Sequence, residues 1–240
     1  MKLTKPHALM AMIVGGCLLP VTTLSAESAK GNSKRAKKIE TLIDKLASEN
    51  DRPQAVRDKT GRRTTVFPSG WSEEKQDAVF RAADELVKMG VRAFPQLIEH
   101  FDDDRYSYSH EALNAAPGDR VYYNENVGRH CRKIVREQLH KYEIWGEPLS
   151  GFGPTRWGPP GFDNNDAARR WWEQNKDKPL WRLQADALQW AIDVETEYRE
   201  QKHDERGLDA IRADKELLRR LIETEEAIPT DLRRSRMPDE

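Results

Sequence analysis

The segment from Gln76 to Asp104 constrains the fold most, because it carries two apolar stripes separated by a glycine and a proline. In its first half, apolar side chains recur at the spacing of one helix face, at Val79, Ala82, Ala83, Leu86 and Val87. Gly90 is suited to end this helix in a left-handed conformation, and Pro95 fits the first turn of a second helix. The second stripe consists of Phe94, Leu97, Ile98 and Phe101. The segment therefore predicts two helices folded against each other, with these side chains buried together: Leu86, Phe94, Leu97 and Ile98.

This segment resembles a HEAT repeat, the two-helix unit of α-solenoid scaffolds, in its pattern Leu86…Gly90…Ala93-x-Pro95-x-Leu97-Ile98…Asp103. The resemblance is good for residues 76–104 and weaker for 126–142 and 166–198, where a tryptophan-bearing helix precedes a leucine-rich one. In that part the chain is similar to helical domains of large exported bacterial proteins. The resemblance implies antiparallel helical hairpins with HEAT-like packing and a role as a scaffold or protein-interaction domain. The chain departs from the family in lacking a fixed period of about 40 residues.

Helical periodicity elsewhere, and no convincing strand, predict an all-α fold interrupted by two long non-helical insertions, 105–125 and 143–165. The second insertion is rich in glycine and proline, residues that disfavour both helices and strands. The predicted organisation is a signal peptide (1–26), then a flexible leader, short helix and linker (27–70), a HEAT-like helical domain (71–228) and a polar tail (229–240).

The first 26 residues have the features of an export signal. Lys2 and Lys5 precede an uncharged, mostly apolar run, and Ser25-Ala26 offers small residues at a cleavage site. Two alternatives stay open, a lipoprotein signal modified at Cys17 and an uncleaved anchor. The apolar run is shorter than the roughly 20 residues that span a bilayer comfortably, so we expect an exported protein, periplasmic or extracellular, without a stable membrane span. After cleavage only Cys131 remains, which excludes an internal disulfide.

The charge balance argues against a nucleic-acid-binding protein. The 40 lysines and arginines are matched by 41 aspartates and glutamates, whereas a nucleic-acid-binding domain shows a basic excess. The sequence also has no nucleophile elbow, glycine-rich phosphate loop or paired-cysteine motif. It therefore predicts no catalytic residue and no cofactor, and it favours a non-enzymatic role while leaving enzymatic activity open.

Two residue groups raise the question of metal or thiol chemistry. Histidines and acids cluster within residues 100–110 and have suitable ligand atoms, but their spacing matches no metal motif, so we predict turn-forming acids and no metal site. Cys131 follows His130, yet neighbouring residues on a helix point in different directions. Because Cys131 is in phase with Val127 and Ile134, we predict a buried structural thiol.

Aromatic side chains in the two insertions are the best candidates for ligand binding. Loops on a rigid scaffold often carry binding residues, and large rings stack on sugars and peptides. We therefore predict that a concavity beside residues 94–104 is lined by some of Tyr106, Tyr108, Tyr122, Tyr123 and Trp157, with Arg105 and Arg156 as hydrogen-bond donors. The other interpretation is that these rings fold onto the helices as a satellite core.

The sequence thus gives two hypotheses on function. The first is an exported, non-enzymatic helical scaffold or protein-interaction domain with a protein partner. The alternative is a carbohydrate- or peptide-handling protein, catalytic or not, that uses an aromatic cleft between the insertions.

The export hypothesis predicts a mature chain that begins near Glu27. N-terminal sequencing of protein recovered from the cell envelope or medium measures this directly, because signal peptidase cleaves after small residues such as Ala26. A diacylglyceryl group on Cys17 would favour the lipoprotein alternative. An intact Met1 on protein confined to the cytosol would contradict export.

Overall fold

The computed structural model describes residues 24–112, 119–139, 164–202 and 208–230. In these residues the helices are α1 (Leu24–Asp44), α2 (Glu73–Met89), α3 (Phe94–Glu99), α4 (Val127–Leu139), α5 (Asn165–Asn175), α6 (Leu180–Lys202) and α7 (Leu208–Thr224). The strands are β1 (Gln54–Arg57), β2 (Arg63–Val66), β3 (Tyr106–Glu111) and β4 (Tyr122–Asn126). The chain separates into a unit of residues 1–35, of which only the start of α1 is described, and a unit of residues 36–240 that contains the other elements.

The protein is mostly helical, but the prediction of an all-α fold is wrong. β1 pairs antiparallel with β2, and β3 pairs antiparallel with β4, so the described residues contain two small sheets. The first hairpin lies in the segment predicted as a linker, and the second lies in the first predicted insertion. No solenoid is present among the described residues, and α3, the second helix of the predicted pair, is only six residues long. The predicted second insertion, 143–165, lies almost wholly outside the described residues.

The helical pair predicted from residues 76–104 is present at its centre. Ser72 caps α2 by accepting a hydrogen bond from the Lys75 N–H at 3.3 Å. Gly90 ends α2 with φ of +60°, a conformation that glycine adopts without steric cost, and a 3₁₀ turn (Gly90–Ala93) leads into α3. Pro95 lies in the first turn of α3. The four side chains predicted to be buried together belong to one core: Leu86, Phe94, Leu97 and Ile98. That prediction is confirmed.

Helix α4 occupies the centre of the main core, where it packs against α2, α3 and α6. Its buried face carries Val127, Cys131, Ile134, Val135 and Leu139. The last turns of α1 cover the same core with Ile39, Ile43 and Leu46. These apolar residues recur at helical spacing on both helices, so each helix buries one continuous stripe.

The start of α4 lies against the backbone of the turn that follows α3. The Val127 N–H donates to the Arg105 carbonyl, and the Gly128 N–H donates to the Asp103 carbonyl, both at 2.8 Å. A Cβ atom at position 128 would overlap the carbonyl of Phe101. Glycine is therefore required here by the closeness of two backbone segments.

A second, smaller core joins α6 to α7 and contains Ala185, Leu188, Ile192, Ile211 and Leu221. The side chain of Gln184 connects this part to α4, because its amide nitrogen donates to the carbonyls of Gln138 and Ile228 at 2.8 and 3.0 Å. Its oxygen accepts from the Ile228 N–H at 2.8 Å. The buried amide is thus fully hydrogen-bonded and holds the segment after α7 against α4 and α6.

Replacing Gly128 by Ala tests the close contact at the start of α4. The added methyl group meets backbone, which cannot move aside as a side chain does, and overpacking costs about 1–3 kcal/mol. This cost outweighs the roughly 1 kcal/mol by which alanine is otherwise favoured in helices. We expect urea denaturation to show a lower free energy of unfolding for Gly128→Ala.

Gly70→Ala is the matched control, because a Cβ at position 70 meets no atom within 4 Å. That variant should stay within about 0.5 kcal/mol of the parent chain. Equal stability of the two variants would contradict the proposed close approach.

Candidate functional site

The two β-hairpins are joined side by side. Thr64 in β2 forms a parallel bridge with Arg120, whose N–H donates to the Arg63 carbonyl at 3.1 Å. The Arg63 N–H donates to the Asp119 side chain at 3.1 Å, and the Tyr122 N–H donates to the Thr65 hydroxyl at 2.9 Å. β2 therefore has a hydrogen-bonded neighbour on each side, and β1 is an edge strand within the described residues.

Strand β3 anchors the joined hairpins to the helical core. The Tyr108 side chain is only 6% exposed, and its ring centroid lies 5.1 Å from Phe80 and 4.8 Å from His130. The buried Ser107 hydroxyl is hydrogen-bonded to Nδ1 of His130 at 3.0 Å. The Ser109 N–H donates to the Gln76 side chain of α2 at 2.9 Å. These contacts fix β3 to α2 and α4.

The structure separates the tyrosines proposed as a binding surface. The half-buried Tyr106 shares a hydrogen bond of 2.7 Å with Ser109, and the Arg52 guanidinium lies 5.9 Å from the Tyr106 ring centroid. The ring of Tyr122 lies 5.0 Å from that of Phe67. Tyr123 is the next residue, so it points to the other face of β4.

The exposed Tyr123 is linked through His110 to the buried Tyr108, with ring centroids 5.8 and 6.1 Å apart. One pair of tyrosines is therefore connected on one face of the β3–β4 hairpin. Tyr106 and Tyr122 instead contact the segment 52–67. Trp157 and Arg156, also proposed for this surface, lie outside the described residues.

Arg105, which was proposed as a hydrogen-bond donor to a ligand, takes part in an ion-pair network. Its guanidinium binds Asp103 at 2.7 Å and Asp44, the last residue of α1, at 3.2 Å. Burial raises the pKa of Asp103, but the hydrogen bonds and charge of Arg105 outweigh it and hold that pKa below its usual range. The arginine thus ties the end of α1 to the turn before β3.

The histidines and acids of residues 100–110 contact different partners. His100 is hydrogen-bonded to Glu40 at 3.0 Å and to Asp103 at 3.4 Å. His110 instead is hydrogen-bonded to Glu125 of β4 at 3.3 Å, and this hydrogen bond is the main cause of the lowered pKa of Glu125. Across the four described ranges, no group of three or more potential ligands is arranged to hold a metal ion.

Cys131 is fully buried, as predicted. Burial raises the pKa of its thiol well above the ordinary value, so the sulfur stays protonated at neutral pH. Protonation and lack of solvent access make it a structural residue of the α4 stripe.

The β1–β2 hairpin carries a local excess of positive charge, in the basic segment that the sequence predicted as a linker. Its exposed cations are Arg57, Lys59, Arg62 and Arg63, and the adjoining Arg120 is also exposed. In the part of the chain that the structure describes, none of them forms an ion pair. Asp58, the acid within this hairpin, instead accepts hydrogen bonds from Thr60 at 2.7 Å, which lower its pKa and hold the turn. The basic run is visible in the sequence, whereas the hairpin that displays it was not predicted.

A buried ionic group between α6 and α7 was also missed. Asp214 is 2% exposed, and its Oδ1 has no hydrogen-bond partner among the described residues. Across from it, Glu195 and Arg199 of α6 lie 3.6 Å apart and are similarly buried. Burial and, to a lesser degree, the Glu195 carboxylate raise the pKa of Asp214 to about 7. All three residues are in phase with the apolar stripes of their helices. This spacing is the sequence feature that could have predicted their burial.

An open groove of about 890 Å³ lies between the end of α1 and the first half of α2. Its floor includes Leu42, Val79 and Ala82, and its rim mixes acidic side chains such as Glu49 with basic ones such as Lys75. The mixed rim therefore favours neither an acidic nor a basic ligand.

No family model, curated protein or solved structure matches this chain. Of the helices that the structure describes, none has both the length and the apolar character needed to cross a membrane.

The raised pKa of Asp214 predicts a pH-dependent stability. The folded chain binds this proton more tightly than the unfolded chain, whose pKa lies near 3.8. The stabilisation that this proton gives the folded chain is therefore fully present below about pH 4 and is lost as the pH rises through about 7. We expect Asp214→Asn to match the parent chain at pH 4 and to exceed its unfolding free energy at pH 8, by up to about 4 kcal/mol.

Urea denaturation at both pH values measures the difference. Glu216→Gln, which removes an exposed carboxylate of the same helix, is the control. It should show no gain in stability with pH, because the hydrogen bond from Arg219 lowers the pKa of Glu216. A difference between Asp214→Asn and the parent chain that does not grow with pH would contradict the raised pKa.

Proposed function

We propose that this chain is an exported, non-enzymatic protein-interaction domain whose helical core presents the joined β-hairpins to a protein partner. The observation that carries the proposal is the exposure of apolar side chains on hairpins that are themselves firmly anchored. Val56 is 38% exposed, Val66 53% and Tyr123 50%. Burial of an exposed apolar side chain against a partner contributes most to affinity when the backbone that carries it is already ordered.

The anchoring of the hairpins supports this role. β3 is held by buried contacts to α2 and α4, and β2 is held to the segment before β4. Binding at the hairpins would therefore require little ordering of the chain, and rigid presentation of this kind is typical of pre-organised interfaces.

The contacts of the reactive side chains also support a binding role. His130 is buried between Ser107 and aromatic rings, Cys131 is a protonated core thiol, and Arg105 is engaged by two carboxylates. Each of these three potentially reactive residues therefore has a structural role in the fold.

The carbohydrate- or peptide-handling alternative remains a prediction. One observation favours it: half-exposed rings of Phe67, Trp71 and Tyr122 form a cluster, with Phe67 4.6 Å from Trp71 and 5.0 Å from Tyr122. Exposed aromatic clusters stack on sugars and peptides. The other half of the proposed cleft, residues 143–165, is almost entirely outside the described residues.

Site-specific photo-crosslinking in the producing cell tests the interaction role. A benzophenone amino acid is placed at Val66 or Tyr123, and at Ile222 of α7 as a control with matched exposure (52%). We expect one and the same envelope or extracellular protein to be crosslinked from both hairpin positions and not from Ile222. Absence of adducts at Val66 and Tyr123, or an identical pattern from Ile222, would contradict the proposal.

A further inference from the structure

The outer backbone groups of strand β1 have no hydrogen-bond partner among the described residues. The Asp58 N–H donates to the Arg62 carbonyl at 2.9 Å, and the register places Val56 opposite Thr64. Because bonded and non-bonded pairs alternate in an antiparallel ladder, Ala55 and Arg57 turn their N–H and C=O groups away from β2. On the other side of the hairpin, the outward groups of Arg63 are bonded to Asp119 and Arg120, which agrees with this alternation.

The two faces of this hairpin differ in chemistry. Residues directly opposite each other share a face, so Arg57 and Arg63 lie on one face, together with Ala55. Val56 lies on the other face, as does Val66, which is paired with Gln54. The valines are exposed, and so are the arginines. The edge of β1 therefore has a positive side and an aliphatic side.

A strand added to this edge would have to match both sides. Successive side chains of a strand alternate between the faces, so its residues would meet arginine and valine in turn. Acidic side chains complement the first face and apolar side chains the second. Open edges of this kind are the usual sites of strand addition.

Building on the interaction role proposed above, we propose that the β1 edge binds an extended segment of a partner protein in which acidic and apolar residues alternate. The segment adds as a strand, with its backbone bonded to Ala55 and Arg57 and its acids facing Arg57 and Arg63.

Two other occupants fit the edge less well. A second copy of this chain would bring an identical β1 with the same cations, and like charges that face each other across strands are unfavourable. A nucleic acid would use the arginines but would leave the outward backbone donors and the valine face without a complement. The combination of open backbone, valine face and arginine face is matched by a polypeptide.

The test measures binding of capped eight-residue peptides to the full chain by fluorescence anisotropy. The probe alternates Glu and Val. Its controls are a peptide of the same composition with the Glu and Val residues in two blocks, an alternating Lys–Val peptide, and a single-stranded oligonucleotide. We expect the alternating Glu–Val peptide to bind about tenfold tighter than the block peptide, with affinity falling as salt rises.

Variants separate the backbone from the charge contribution. Ala55→Pro removes an outward N–H, which edge strands tolerate, and should weaken binding about fivefold or more. Ala55→Val keeps that N–H, so it should lose much less affinity than Ala55→Pro. Arg63→Gln should weaken binding about two- to fivefold, as expected for an exposed ion pair.

Equal binding of the alternating and block peptides, or tighter binding of the oligonucleotide, would overturn strand addition, and neither result depends on the folding of a variant. An Ala55→Pro chain with a native circular dichroism spectrum and unchanged affinity would also overturn it. If crosslinks form at Val66 and Tyr123 while the peptide fails to bind, the interaction role stands and only the strand-addition inference falls. If both fail, both proposals fall.

Discussion

The structure depends on the contact between the first residues of α4 and the turn after α3. β3 begins directly after Arg105, and β4 ends directly before Val127. The two hydrogen bonds from Val127 and Gly128 to the carbonyls of Arg105 and Asp103 therefore close the base of the β3–β4 hairpin. Gly128 makes this possible, because any side chain there would meet the backbone of Phe101. One junction thus sets the position of the central helix and of the hairpin.

This arrangement gives the hairpins one side that is packed on the helical core and one side that is exposed. The core side of the hairpins is held by buried groups such as Ser107, Tyr108 and His130. The far side displays the edge of β1, with exposed valines and with cations that form no ion pair among the described residues. An interaction surface gains affinity when its support is ordered before binding, and this fold supplies such support. The chain as a whole is nearly neutral, so the positive charge is a local property of this edge.

The sequence predicted the elements whose apolar residues recur over several helical turns. The centre of residues 76–104, the buried stripe of α4 and the burial of Cys131 follow from periodicity alone. The hairpins were missed because β1 and β2 are four residues each and rich in charged or polar side chains. Their stability comes from contacts distant in sequence, such as Arg63 with Asp119, which periodicity does not report. A register shift between Tyr106 and Tyr108 further obscured the alternation of β3, and it explains why these tyrosines have different neighbours.

Native-state hydrogen exchange compares the α4 junction with the β1 edge in one measurement. Amides in cooperative core contacts exchange only through large openings, whereas unbonded edge amides exchange quickly. We expect strong protection of the Val127 and Gly128 amides, close to that of the α4 interior, and little protection of the Ala55 and Arg57 amides. Fast exchange at Val127 and Gly128, or protection at Ala55 and Arg57 equal to that of the junction, would contradict it.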